Sequence, residues 1–237
     1  MSIQTQLYTF LTYDIDFDIS LYVNNATSFA DPHVLELGVG LGRTILPILQ
    51  NNIPCTGIEK ERDFFDELQE YAKNEELNHL NLHFGYMERF GFQQRFSSIH
   101  IPLRTFQLLT EAKDRNRCIK NMKHHLREDG NIAIHLGIPK HRDALWRTIK
   151  MAPMIEDGNM LIEECVQQLD TTKFRLLHRF QQYHKDGYCT GSYLMHHELI
   201  SLSESDICEA MQQHQLVLQK RHNLDSDNTV FFFTHQG

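Results

Sequence analysis

From His33 onward, short apolar runs alternate with longer amphipathic ones, and the two periods differ along the chain. Runs at His33–Leu37, Cys55–Glu59, Leu80–Phe84, Ser97–Ile101 and Asn131–Leu136 are short and apolar, which predicts strands. Between them, Gly42–Gln50, Arg62–Asn74 and Glu111–Leu126 read as helices. In the last, Cys118, Ile119, Met122 and Leu126 recur at three- and four-residue spacing, which places them on one face. Pro47 lies inside the first of these helices and removes a backbone donor, so a short or kinked helix is expected there.

After Pro139 the pattern changes. Leu161–Leu169, Lys173–His184 and Tyr188–Leu202 are long strand-like runs, separated by Asp170-Thr171-Thr172 and Asp186-Gly187, which predicts an antiparallel meander. Ser203 with Asp206 three residues on reads as a capping box that starts a further helix, and strands follow at Leu216–Lys220 and Thr229–Thr234. The whole is an α/β chain: a doubly wound, mostly parallel seven-stranded sheet carrying an antiparallel β insertion at about 146–202. At 237 residues it is expected to be a single decorated domain spanning 1–237.

Charge narrows the function. Acidic residues outnumber basic ones 31 to 23, a net charge of −8, and phosphate-backbone binders draw their affinity from Lys and Arg, so nucleic acid is not the expected partner. The helix with Lys113, Arg115, Arg117, Lys120 and Lys123 is the one basic stretch, and a solvated face is its simplest reading. Five scattered cysteines without a Cys-x-x-Cys pair suggest reduced thiols and a cytoplasmic setting. No basic-then-apolar leader and no run of about 18 apolar residues is present, so neither secretion nor membrane insertion is expected.

The densest chemical signal is Val34-Leu35-Glu36-Leu37-Gly38-Val39-Gly40-Leu41-Gly42-Arg43-Thr44, an apolar strand that runs into three alternating glycines and then a helix. A dinucleotide fingerprint requires Gly-x-Gly-x-x-Gly, but here the third glycine is Gly42 and arginine stands at 43, which disfavours NAD. Glu36 would repel a pyrophosphate and suits a cationic ligand such as an amino-acid ammonium. Glu59, nineteen residues past Gly40, ends the second strand, where this fold places an acid within reach of ribose hydroxyls. Loop and acid together imply a nucleoside ligand.

These residues resemble motif I of the class I S-adenosylmethionine-dependent methyltransferases, acid-x-Gly-x-Gly-x-Gly after a strand. The resemblance runs from about Tyr13 to Pro139, taking in Tyr13-Asp14, Tyr22, Gly85-Tyr86-Met87, Ile101-Pro102-Leu103-Arg104 through Gln107, and Leu126-Arg127-Glu128-Asp129-Gly130. The meander and last strands resemble the subgroup that methylates small molecules such as amino sugars. The resemblance implies a Rossmann-like methyltransferase fold with S-adenosyl-L-methionine as cofactor. It implies that Glu36, Gly38, Gly40 and Gly42 surround the methionine part, Glu59 binds the ribose diol, Met87 sits by the adenine, and Ile101 and Pro102 line the transfer site. Tyr13, Tyr22, Lys60 and Tyr86 join the cofactor-binding set. Two departures stand out: Tyr86 replaces the acid that often accepts from the adenine amino group, leaving Glu88 as a substitute, and Gln107-Leu108 stand where related sugar N-methyltransferases carry a histidine.

Methyl transfer from a sulfonium is an in-line displacement governed by proximity and alignment, with a base needed only to remove a proton. The catalytic group is left open, with Tyr13, His178 and Tyr193 as leading candidates and Tyr22, Tyr183, His196 and His197 behind them. Fifteen histidines invite a metal, but His196 and His197 adjoin on a strand and would face opposite ways, and the segment after the fourth strand offers no acids for magnesium, so no metal is expected. The expected partner is a small-molecule methyl acceptor reacting through nitrogen or oxygen, with the insertion covering or shaping its site. Turnover-free cofactor binding and RNA or protein methylation are the alternatives. An exposed meander edge would permit a homodimer.

Overall fold

A computed structural model describes residues 2–137, 146–153, 160–169 and 172–237. The chain forms two compact units, Met1–Ile138 with Leu202–Gly237, and Pro139–Ser201. The first unit is a seven-stranded sheet. Its strands are β1 (Val34–Leu37), β2 (Cys55–Glu59), β3 (Leu80–Phe84), β4 (Phe96–Ile101), β5 (Leu126–Gly137), β10 (Leu216–Asn223) and β11 (Asn228–His235), in the order β10-β11-β5-β4-β1-β2-β3. The pairs among β1 to β5 are parallel, and β11 is antiparallel to both β5 and β10. Strands β1 and β4 are buried throughout because both faces of a central parallel strand are covered, which is why they read as unbroken apolar runs. The direction of winding reverses between β1 and β4, and ligands of open α/β sheets bind outside the strand ends at such a reversal.

The helices are α1 (Ile3–Thr12), α2 (Ile19–Thr27), α3 (Ile45–Leu49), α4 (Arg62–Asn74), α5 (Ala112–His125) and α6 (Glu204–Gln212). α1 and α2 were not expected. α3 is confined to five residues rather than Gly42–Gln50: the glycine loop extends further, Gly42 still lies at φ +88°, and Pro47 cannot donate to a longer ladder. α5 ends at His125 rather than Leu126, because β5 starts at Leu126 opposite Phe96 and bulges through 127–130 before rejoining β4 at Asn131. Ser203 and Asp206 form the expected capping box at α6.

α2 docks on the sheet through a buried polar cluster. Asn25 Nδ2 donates to Ser98 Oγ at 2.7 Å and Asn131 Oδ1 at 2.9 Å, and Asn131 Nδ2 returns a bond to Asn25 Oδ1 at 2.9 Å. His100 Nε2 joins Ser98 Oγ at 2.7 Å, and burial pushes the imidazole down to about 3, keeping it neutral. Around this cluster Tyr22, Ala26, Val34, Ile45, Ile48, Leu49 and Phe232 pack as hydrophobic core.

The second unit is a four-stranded antiparallel sheet, β6 (Trp146–Pro153), β7 (Met160–Leu169), β8 (Lys173–Tyr183) and β9 (Cys189–Ile200), paired in chain order. β7, β8 and β9 are the expected meander, and β6 is an added strand. The turn before β9 carries Gly187 at φ +91°, a conformation that favours glycine. No helix among the described residues is long and apolar enough to cross a membrane.

Candidate functional site

Gly38, Gly40 and Gly42 all lie at positive φ, +76°, +56° and +88°, so the loop after β1 turns through a path that side chains with Cβ rarely follow. The amides of Gly38 and Val39 both donate to Ile58 O, at 2.8 and 3.1 Å, which folds the loop back onto β2. Space is also tight: a Cβ at Gly38 would lie 2.5 Å from Thr105 Cγ2, and one at Gly42 within 2.9 Å of Leu46 and Leu68.

Glu59 locks this loop to the start of α4. Its Oε2 accepts from Gly40 N at 2.8 Å, and Oε1 accepts from Lys60 N at 2.8 Å and Glu61 N at 2.9 Å. Burial pushes this carboxyl up while the three backbone amides pull it back. A carboxylate offers about four lone-pair positions, so one on Oε2 is left to accept from a hydroxyl.

Glu36 is the second buried acid. Oε1 accepts from Thr44 Oγ1 at 3.0 Å, whereas Oε2 has no hydrogen-bond partner among the described residues. Burial pushes its carboxyl up from 4.5 to about 8, with the Thr44 hydroxyl and the Arg43 charge opposing. Tyr22 Oη and His135 Nδ1 are likewise buried without hydrogen-bond partners among the described residues. The phenol is pushed well above its ordinary value by burial and by the charges of Asp18 and Glu36, so it stays an intact donor. His135 is held neutral, near 4, by burial, with Nδ1 3.9 Å from Asp18 Oδ2 and Nε2 3.1 Å from Asn228 Oδ1.

Arginine at position 43 has a structural reason. Its guanidinium grips Asp18 at two points, 2.5 and 2.9 Å, and donates to Ile15 O at 3.0 Å, pinning the α1–α2 connection beside the glycine loop. α1 closes on the loop as well, with Tyr8 Oη 3.1 Å from where a Gly40 Cβ would stand.

The structure therefore gathers Tyr22, Glu36, the three glycines and Glu59 from the expected set, and adds Tyr8, Asp18, Arg43, Thr44 and His135. Arg43 and Thr44 end the glycine-loop segment, whereas Tyr8, Asp18 and His135 belong to no motif; a histidine and an aspartate that are both fully buried are recognisable only once the fold is known. Ile101 and Pro102 are buried at the end of β4, followed by Leu103 and Arg104 in consecutive left-handed conformations, φ +48° and +62°. Gln107 serves the backbone, since its side-chain amide accepts from Gly137 N at 2.7 Å and donates to Gly137 O at 3.0 Å, extending the edge of β5. Met87 is buried, Lys60 and Tyr86 are exposed, Tyr86 stacks under Arg89, and Glu88 is buried beside the same arginine. Tyr13 caps α1 and is exposed. His178 and Tyr193 share one face of the second unit, with Tyr193 opposite Phe180; Tyr183 is half-buried, and His196 and His197 are adjacent strand residues whose side chains leave opposite faces of the sheet. On α5, Arg115 donates to Leu109 O and Thr110 O and Arg117 pairs with Asp114, so part of the basic stretch serves local structure.

The residues fit a cationic amino-acid nucleoside: an unpartnered buried carboxylate oxygen and phenol stand within electrostatic reach of each other, and an acid with a spare lone pair ends the next strand. Residues 34–130 match the family model of a methyltransferase domain. No curated protein matches the chain by sequence. Among solved structures the chain is similar to the CcbJ methyltransferase of Streptomyces caelestis, with 18% identity, a TM-score of 0.80, and coverage of 97% of this chain and 96% of that one. It is similar to S-adenosylmethionine-bound CalS10, an amino pentose methyltransferase of Micromonospora echinaspora, at 13% identity and TM-score 0.81, covering 99% and 98%. DesVI of Streptomyces venezuelae gives 13% identity and TM-score 0.81 over 99% of each chain. The structural likenesses show the fold, a Rossmann-like methyltransferase fold, and the domain match falls on the strand, loop and acid just described: residues 34–130 carry a methyltransferase domain.

Proposed function

We propose that the chain transfers a methyl group to a nitrogen or oxygen of a small molecule. The observation that carries this reading is the extent of the likeness: proteins solved as an amino pentose methyltransferase and a sugar N-methyltransferase match over 99% and 100% of this chain, insertion included. Charge supports it, since a net −8 and a basic helix partly spent on local bonds offer little to a phosphate backbone.

When bound, S-adenosylmethionine supplies an electrophilic methyl on sulfur. Glu36, helped by the Tyr22 hydroxyl, takes the ligand ammonium, and Glu59 accepts from the ribose through its remaining lone pair. Gly38, Gly40 and Gly42 keep the loop free of side chains where the methionine part lies. Lys60, Tyr86 and Met87 flank the base, and Ile101 and Pro102 form an apolar wall that excludes water beside the transfer site. Gln107, with both amide atoms bonded to Gly137, is not placed to take a proton in the way a histidine there would. An acceptor whose nucleophile is already unprotonated, or a base such as Tyr13, then meets the need.

The test is release of S-adenosylhomocysteine with a panel of amino sugars, their nucleotide-linked forms, amino acids and phenols, with methylated product identified by mass spectrometry. Turnover on at least one small acceptor supports the proposal. Methylation of tRNA or protein, with small acceptors inert, overturns it, as does tight cofactor binding with no product from any arm.

A further inference from the structure

The second unit carries a buried polar cluster of its own. Strand alternation puts Leu161, Glu163 and Cys165 on one face of β7, and the antiparallel register sets Cys165 directly opposite His178 on β8. His178 stands opposite Met195 on β9, and His197 is the next residue along that face. Glu163 and Cys165 are buried and His178 is half-buried. A carboxylate on a buried sheet face is costly unless something answers its charge. Here His178 Nδ1 lies 2.8 Å from Glu163 Oε1. That contact puts the ring proton on Nδ1 and leaves Nε2 with its lone pair, the arrangement by which a carboxylate orients a metal-binding histidine. Nε2 faces Cys165 Sγ at 4.0 Å, and one ligand atom from each of the three residues falls within 4.8 Å of the other two. The His197 ring stands 5.9 Å from that of His178.

We propose that Cys165 and His178 bind a zinc-like divalent cation that ties β7 to β8, with Glu163 orienting the imidazole through its Nδ1 proton, independent of the methyl-transfer chemistry. Sulfur at about 2.3 Å and nitrogen at about 2.1 Å on a tetrahedral ion stand about 3.6 Å apart, so Cys165 and His178 need approach by only a few tenths of an ångström. Thiolate and imidazole select zinc over magnesium or calcium, which prefer all-oxygen shells. The charges balance: on binding, the Cys165 thiol gives its proton to solvent, and thiolate plus carboxylate neutralise the dication beside a neutral imidazole. The remaining positions are left for water. No sequence signature marks such a site, because its residues are spaced by strand alternation and a hairpin rather than by a knuckle.

The test uses the full-length reduced protein, freed of metal by chelation and titrated with Co²⁺ as the spectroscopic probe. One equivalent is expected, with the intense visible bands of a tetrahedral site and a sulfur-to-cobalt charge-transfer band, all lost on adding Zn²⁺. Cys165→Ser removes the charge-transfer band, His178→Gln and Glu163→Gln weaken binding at least tenfold, and Cys189→Ser, which alters an exposed thiol, leaves the band intact. Absence of a thiolate band in the wild type overturns the proposal whatever the variants do, and so does a band that survives Cys165→Ser.

Discussion

Replacing Glu36 by glutamine exchanges one buried oxygen for an amide nitrogen and removes the titration with the largest expected effect on the cofactor site. The carboxyl sits at about 8 rather than 4.5, chiefly through burial. Its folded value is raised, so the stability it contributes is complete below pH 4.5 and is lost as the pH climbs toward 8. With one pH unit worth about 1.4 kcal/mol between the two values, the loss from pH 5 to pH 7 comes to about 2–3 kcal/mol. For a chain of this size that is about 5–10 °C of melting temperature. Glu36→Gln keeps a carbonyl oxygen for the Thr44 hydroxyl and lacks the titration, so its advantage over the wild type should widen with pH across that window. Cofactor binding should show the converse. A ligand ammonium favours the ionised carboxylate, so binding expels a proton and the logarithm of affinity for S-adenosylhomocysteine rises with pH, with a slope approaching one below pH 7.5. In the variant the slope should vanish and affinity at pH 7.5 should fall at least tenfold. Calorimetric titration at pH 5.5, 6.5 and 7.5, in buffers of different ionisation enthalpy, reads both slope and proton release. Parallel slopes in the two proteins, or a stability difference that does not change with pH, would refute the assignment of the ammonium to Glu36.

Three further outcomes follow from the geometry. Asp18→Ala leaves the Arg43 guanidinium without its two-point partner and unpins the α1–α2 connection, so urea denaturation should show a loss of about 3–5 kcal/mol together with weaker S-adenosylhomocysteine binding; unchanged affinity would mean that the connection does not shape the site. Gly38→Ala meets Thr105 Cγ2 at 2.5 Å and must also hold φ at +76°, so adding Thr105→Ser should recover part of the lost stability and leave about 1–2 kcal/mol from the backbone. Full recovery would remove the conformational explanation. Gln107→Ala strands the amide and carbonyl of Gly137 and should cost about 2–3 kcal/mol, whereas Gln107→His, if it only replaced a catalytic group, would leave the unfolding midpoint unchanged.

The features legible in the amino-acid sequence and those hidden in it divide along a physical line. Strands β1 to β5 and the Gly38–Gly42 loop are legible because each is specified within a dozen residues, by an apolar run and by glycines at left-handed positions. α1 and α2 are not, because they bury Thr5 and Asn25 beside Leu7, Phe10, Tyr22 and Ala26, and a helix that hides polar groups blurs the contrast between its faces. Asn25 is tolerable inside only because Ser98, His100 and Asn131 satisfy it from 73 to 106 residues away. The same holds for Asp18 and Arg43, two charges that read as surface residues until the fold joins them.

Those long-range pairs also determine what the site can hold. Asp18, Glu36 and Glu59 surround one short loop with Arg43 as the countercharge, and Arg43 is already committed to Asp18. Glu59 already accepts from three backbone donors, which leaves Glu36 as the acid with a buried oxygen not yet answered among the described residues. The fold resolves this by keeping it protonated near neutral pH. A pyrophosphate would add two negative charges to that setting, where the nearby guanidinium is already spent, whereas an ammonium converts the least favourable group in the loop into an ion pair. The preference for an amino-acid nucleoside over a dinucleotide therefore rests less on the spacing of the glycines than on a carboxyl kept neutral until a cationic ligand arrives.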